Sequence, residues 1–369
     1  MIGGRSISTP LVALLLTMAP QIDDSIIDAT PKDLNDGIPV STLRQSGGDI
    51  DAILGLAEDI VAGKHEHIES LLIAHQGKLV FESYYRQGRP QLPHYQMSVT
   101  KSVTAFALGR AIQLGVLGMA DLDRPVVDFL QEVDQSSLAP GAASITVADC
   151  LNMHSGIRVA QEKWAEAHRD PSTLKGQRQA QVYLSLTDPV TEESKTWKYQ
   201  AVDSSLVMQV IEAVVPGSAR DFIDREFLGK LGITDYEWPA ESSGLPQSNA
   251  GMSLRSRDML KLGMLAAQNG KWQGEPLISE AFVRKAVSPI HRNNEGISYG
   301  YFWFGQDYKL DGKIYPSTSC RGAGGQVILL IPGAGLIIAV TSDTEGGRSL
   351  EIPLRGFVPK IILPAFLRK

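Results

Sequence analysis

The chain is short of the residues that would make several functions easy to assign. It has two cysteines, Cys150 and Cys320, in 369 residues. That is too few for a disulfide framework or a zinc site, so they read as two buried free thiols unless the fold brings them together. There is no long basic run, and the formal net charge is −6, so nucleic-acid binding is not expected. Beyond the N-terminus no apolar run is long enough to span a membrane. The sequence has no Gly-x-Ser-x-Gly elbow, no His-Glu-x-x-His and no phosphate-binding loop. Gly322-Ala323-Gly324-Gly325 is glycine-rich, but it precedes a strand and does not open a helix, which argues against a dinucleotide site. No metal and no organic cofactor are implied.

What is present is an ordinary globular composition, 43% apolar and 21% charged, with enough length for one large or two modest domains. The N-terminus carries Arg5 and then an apolar run from Leu11 to Leu16. This is too short for a bilayer span but fits a secretory signal peptide over residues 1–20, despite Pro20 at the candidate cleavage region. The expected location is periplasmic or secreted if that segment is a signal, and cytoplasmic otherwise.

Hydrophobic spacing outlines the rest. Residues 21–47 read as an irregular lead-in and 49–61 as a helix. Two β-favouring runs, 68–74 and 79–85, form a hairpin around His75-Gln76-Gly77-Lys78. His65 and His67, just before it, match no metal motif and read as solvated loop residues. Helices follow at 102–117 and 146–153, the latter broken by His154-Ser155-Gly156, where His154 has a structural hydrogen-bonding role. Residues 160–196 are polar with one helical piece near 177–186. Further helices are expected at 203–215, 220–231 and 255–267. Tyr299 to Phe304 reads as one aromatic strand in the sheet core, with one or two rings at a cleft rim. Turns at Asp311-Gly312 and Pro332-Gly333-Ala334-Gly335 join strands, and a helix near 354–366 closes the chain. The expected class is α+β: an antiparallel sheet flanked by helices, built from both chain ends (48–97 and 280–369), with an all-helical insertion over 98–279.

The stretch that organises this layout is Ser98-Val99-Thr100-Lys101, at the head of the apolar helix. Residues three apart on a helix share a face, so the lysine amine can reach the serine oxygen. A serine hydroxyl is a weak nucleophile until a base accepts its proton, and a desolvated lysine can be that base. Helix N-termini add free N–H groups and positive potential.

With its neighbours, this motif resembles the first motif of the serine β-lactamase and penicillin-binding protein superfamily. The branch it looks most like contains class C β-lactamases, family VIII esterases, D-aminopeptidases and 6-aminohexanoate-dimer hydrolases. The likeness runs over about 48–345. Asp149 to Ile157 resembles the family's Leu-Leu-x-His-x-Ser-Gly stretch, with Met153 at the histidine place. Gly251-Met252-Ser253 with Arg257-Asp258 resembles its Gly-Gly-x-x-Ser…Ala-x-Asp stretch. The resemblance implies a β-lactamase/transpeptidase-like fold and an acyl-enzyme on Ser98, with Lys101 as base.

Two family motifs are altered. Tyr199-Gln200-Ala201 stands where relatives have Tyr-x-Asn or Tyr-x-Ser, so Tyr199 matches and the residue that would orient Lys101 or a substrate amide does not. A tyrosine beside an ammonium is expected to favour phenolate and relay a proton. Cys320-Arg321-Gly322 stands in place of Lys-Thr-Gly. By the resemblance, Gly322 lets the substrate approach, and the N–H of Ala323 joins that of Ser98 in an oxyanion hole. The family's carboxylate-binding lysine is Cys320 here. Arg321 is a candidate substrate-binding cation, although strand alternation sends it to the opposite face. Cys320 has no identifiable base and is not expected to be a nucleophile. β-Lactamase or transpeptidase activity is therefore not expected. The expected function is hydrolysis of a small ester or amide. The alternatives are a linear-amide or D-aminopeptidase-type amidohydrolase, and a catalytically weakened relative acting as a binding module.

Overall fold

An antiparallel sheet runs through the centre of the molecule and takes strands from both parts of the chain. The structure, a computed structural model, describes residues 25–288, 291–292, 297–343 and 350–368; the segment expected to be a signal peptide lies outside the described residues. The strands are β1 (Ile26–Asp28), β2 (Ile68–His75), β3 (Lys78–Tyr84), β4 (His291–Arg292), β5 (Ser298–Gly300), β6 (Trp303–Leu310), β7 (Lys313–Gly322), β8 (Gln326–Ile331) and β9 (Leu336–Ser342). Their order is β1-β3-β2-β9-β8-β7-β6-β5-β4, and every neighbouring pair is antiparallel.

Central strands such as β8, Gln-Val-Ile-Leu-Leu-Ile, are buried throughout because helices cover both faces. Side chains alternate between two cores: Ile328 and Leu330 face one, Val327, Leu329 and Ile331 the other. The helices that matter below are α1 (Ile50–Val61), α2 (Val99–Gln113), α3 (Val147–Leu151), α4 (Ala201–Val214) and α5 (Ser256–Ala267). α1 and the C-terminal helical stretch Ile352–Leu367 pack on one face. α2 and α5 pack on the other, with α4 built onto α2 and α3 onto α4. α5 lies within the span expected to form the helical insertion, yet it covers the sheet. It comes so close that a Cβ on Gly263 would be 2.7 Å from Ile337 Cγ2 and 2.9 Å from Ile328 Cγ2. Its buried Arg257 is paired with Glu82 on β3 (Nη2 to Oε2, 2.5 Å) and Asp36 (3.2 Å), so the charge is compensated.

Four expectations change in detail. The lead-in contains edge strand β1, whose three residues are too few to carry a periodic signal. The polar region holds a second helix, Gln161–Ala167, none of whose residues is fully buried. Tyr299 to Phe304 is not one strand: β5 and β6 pair across a two-residue turn at Tyr301 (φ +47°) and Phe302 (φ +66°). His67 is not simply solvated, since its Nδ1 lies 2.8 Å from Asp343 Oδ1, and the His65 ring meets Phe357 edge-on. Both cysteines are buried and free. No helix among the described residues is long and apolar enough to cross a membrane.

Candidate active site

α2 is buried on all sides from Val99 to Ile112, as a helix running through the middle of a core is. Its N-terminus is lifted into position by Met97, whose φ of +49° is unusual for a residue with a side chain. That conformation costs about 1–2 kcal/mol. It is held by Thr100, whose N–H (3.1 Å) and hydroxyl (2.7 Å) both donate to Met97 O. Ser98 follows at the helix cap.

Lys101 lies one turn further along the same face. Its Nζ donates to Ser98 Oγ (3.1 Å) and to Asn249 O (2.7 Å). The side chain is 4% exposed and has no carboxylate partner among the described residues. Burial alone lowers its pKa to about 8, so at pH 7 roughly a tenth of the amine is free to accept a proton. Asn249 was legible only as part of a small-residue loop. Its carbonyl accepts the shorter of the two Lys101 hydrogen bonds.

Tyr199 sits just before α4. Lys101 Nζ lies over its ring, 4.8 Å from the centroid, so the ammonium meets the π face. Tyr199 keeps 37% of its surface exposed, with its hydroxyl near enough to Ser98 to feel that side chain. Burial raises the Tyr199 pKa, and that outweighs the opposing influence of Ser98. The expectation of a phenolate is therefore corrected: the group is a neutral phenol at physiological pH. Tyr199 also packs on the buried Tyr299 (6.1 Å, edge-on) and the half-buried Phe304 (5.9 Å).

The opposite wall is the end of β7. A Cβ on Gly322 would fall 2.3 Å from Gln96 O and 3.1 Å from Met97 Cβ. Only glycine allows β7 to approach the segment leading into Ser98 this closely. The chain then turns through Gly324 (φ +83°) and Gly325 (φ +102°) into β8. Among the described residues, neither the Ser98 N–H nor the Ala323 N–H is donated to a carbonyl or side chain, so both remain available.

The two side chains preceding Gly322 leave the cleft. Cys320 is buried beneath α2 against Ser102, and burial pushes its thiol pKa up. Arg321 points to the other face, where it donates to Ser319 Oγ (2.8 Å) and Gln306 Oε1 (3.0 Å) and lies 4.9 Å over Phe304. Desolvation lowers it to about 10, still charged at neutrality. His154 is structural as expected, with Nδ1 2.7 Å from Asn152 O.

Comparison with known proteins follows the same lines. A family model described as Beta-lactamase matches residues 54–355. Among solved structures, a Bacillus anthracis protein assigned as a 6-aminohexanoate-dimer hydrolase superposes with a TM-score of 0.66 at 14% identity, covering 90% of each chain. A class C beta-lactamase gives 0.63 at 14% identity over 86% of this chain and 96% of its own. A D-stereospecific amidohydrolase from Streptomyces sp. gives 0.57 at 17% identity over 81% and 97%. No curated protein matches the sequence.

Proposed function

The chain belongs to the beta-lactamase family, and from that premise we propose that it is a serine hydrolase that forms an acyl-enzyme on Ser98 and cleaves a small ester. The observation that carries this reading is the 3.1 Å contact between Ser98 Oγ and an amine whose pKa burial has lowered to about 8. In the mechanism, neutral Lys101 takes the Ser98 proton as the oxygen attacks the substrate carbonyl. The N–H groups of Ser98 and Ala323 receive the oxyanion, each such donor being worth about 10²–10³ in rate. The Tyr199 phenol or the Lys101 ammonium then protonates the leaving oxygen, and water releases the acyl group through the same residues. Gly322 supports substrate binding by letting β7 lie close. Arg321 contributes indirectly, by backing the Phe304 ring on which Tyr199 rests.

Esters are favoured over amides because Ala201 and Cys320 stand where relatives carry an amide-orienting side chain and a carboxylate-binding lysine. The amidohydrolase resemblance keeps linear and D-amino-acid amides as the second class. With p-nitrophenyl butyrate, a burst stoichiometric with enzyme is expected, and it is absent in Ser98→Ala. Unchanged turnover in that variant would refute the assignment. Turnover of aminohexanoate dimer measured alongside separates amidase from esterase. A fluorophosphonate that labels Ser98 separates either from a non-catalytic binding module.

A further inference from the structure

The segment that carries Tyr199 is held from behind by polar contacts. Lys198 N–H donates to Met153 O (2.9 Å). One residue after Tyr199, Gln200 Nε2 donates to Ser155 Oγ (3.1 Å) and to the two carboxylate oxygens of Asp203 (3.3 and 3.2 Å). Asp203 lies in the first turn of α4 with 0% of its surface exposed. Beside the segment lies a groove of about 180 Å³ lined by Ile157, Trp164, Lys198, Gln200 and Val202. We propose that Asp203 is a positioning residue: through Gln200 and Ser155 it holds residues 197–200 so that the Tyr199 phenol stays on Ser98.

A buried carboxylate is costly and calls for compensation. Several charged groups face it. Arg158, anchored by donation to Ile157 O (2.8 Å) and Thr196 Oγ1 (3.1 Å), attracts it. Asp149 on α3 repels it, although Lys195 partly neutralises Asp149 at 3.1 Å. The Cys150 thiol on α3 and Tyr299 on β5 both feel its charge. The Tyr299 hydroxyl is buried with no partner among the described residues, and its ring supports that of Tyr199. Burial raises Asp203 to about 7 against the pull of Ser155 and Gln200. On the acid side of neutrality the carboxyl therefore gains a proton and gives up an acceptor site that Gln200 uses. The clamp on Tyr199 weakens in the same range where Lys101 is protonated.

This inference rests on the Ser98 reading, and one experiment separates the two. Turnover of p-nitrophenyl butyrate and the rate of fluorophosphonate labelling at Ser98 are followed from about pH 5 to about pH 9 in wild type, Asp203→Asn and Asp203→Ala. Melting curves confirm that each variant is folded. Asp203→Ala is expected to lower kcat by about 10–100-fold with KM within about threefold, since Tyr199 loses position while the cleft remains. Asp203→Asn keeps an acceptor for Gln200 and should restore most of kcat at neutral pH. The wild-type acid limb should show two ionisations, and that of Asp203→Asn only the one belonging to Lys101. Labelled Ser98 with identical pH profiles in wild type and Asp203→Asn, or full kcat in Asp203→Ala, overturns the positioning role alone. Unlabelled wild type overturns the nucleophile reading and the positioning role with it.

Discussion

On the helix wall of the cleft, Lys101 is 4% exposed and keeps two oxygen partners; on the strand wall, Cys320 turns into the core and Arg321 to the far face of the sheet. In the proposed mechanism one wall therefore offers reactive side chains, and the other offers a backbone edge with the open Ala323 N–H. The first works through charge and proton affinity, which tolerate no chemical change. The second works through closeness, which Gly322 alone secures. Substitutions on the helix wall should thus fail by chemistry, whereas those on the strand wall should matter only when they move the main chain.

The largest expected effect is on the helix wall. Lys101→Met fills the same buried space without the amine and should cut kcat by roughly 10³-fold; losing the bond to Asn249 O costs about 1–3 kcal/mol, so a melting curve accompanies the assay. The wild-type pH dependence gives the sign. The base is the neutral amine, so kcat/KM should rise as pH climbs through about 8, the value to which burial lowers Lys101. Stopped-flow turnover across that range checks both points. A surviving burst in Lys101→Met would assign the base to another group and erase the distinction between the walls.

Next comes the one strand-wall change that should hurt. An alanine Cβ at 322 meets the Gln96 carbonyl at 2.3 Å, a distance no side-chain rotation can relieve. β7 must back away, carrying the Ala323 N–H with it. The expected loss for Gly322→Ala is about 10²-fold in kcat, the size of one oxyanion donor, with a smaller change in KM. Near-wild-type kcat would mean that the strand wall contributes no backbone donor.

What the sequence disclosed and what it hid divide along similar physical lines. α2 was legible because a long apolar run follows Ser-x-x-Lys, and the β6–β7 hairpin because Asp311-Gly312 is a turn pair that tolerates positive φ (+49° and +78°). The β5–β6 turn has the same backbone need but uses Tyr301 and Phe302. They are held from outside: Phe302 N–H donates to Leu151 O (3.2 Å), and Ser102 Oγ donates to Phe302 O (2.7 Å). Contacts from distant elements leave no local pattern to read. The same is true of Asn249, which serves through its carbonyl, an atom every residue type provides. The face of Arg321 was legible from strand alternation. The neutral state of Tyr199 was not, because it depends on how closely the fold encloses one hydroxyl.

The smallest expected effect sharpens the contrast from the other side. Cys320 occupies the place where relatives carry a cation, yet its thiol is sealed beneath α2 among Val99, Ser102, Val103 and Trp303. Burial holds the thiol pKa high, so little thiolate forms at neutral pH. Cys320→Ala should leave kcat within about threefold and cost about 1 kcal/mol of stability, as expected for removing one buried atom. Iodoacetamide should not inactivate the native protein. A large drop in kcat on Cys320→Ala with an unchanged melting temperature would show that this side chain reaches the reacting atoms, and the strand wall could no longer be described by its backbone alone.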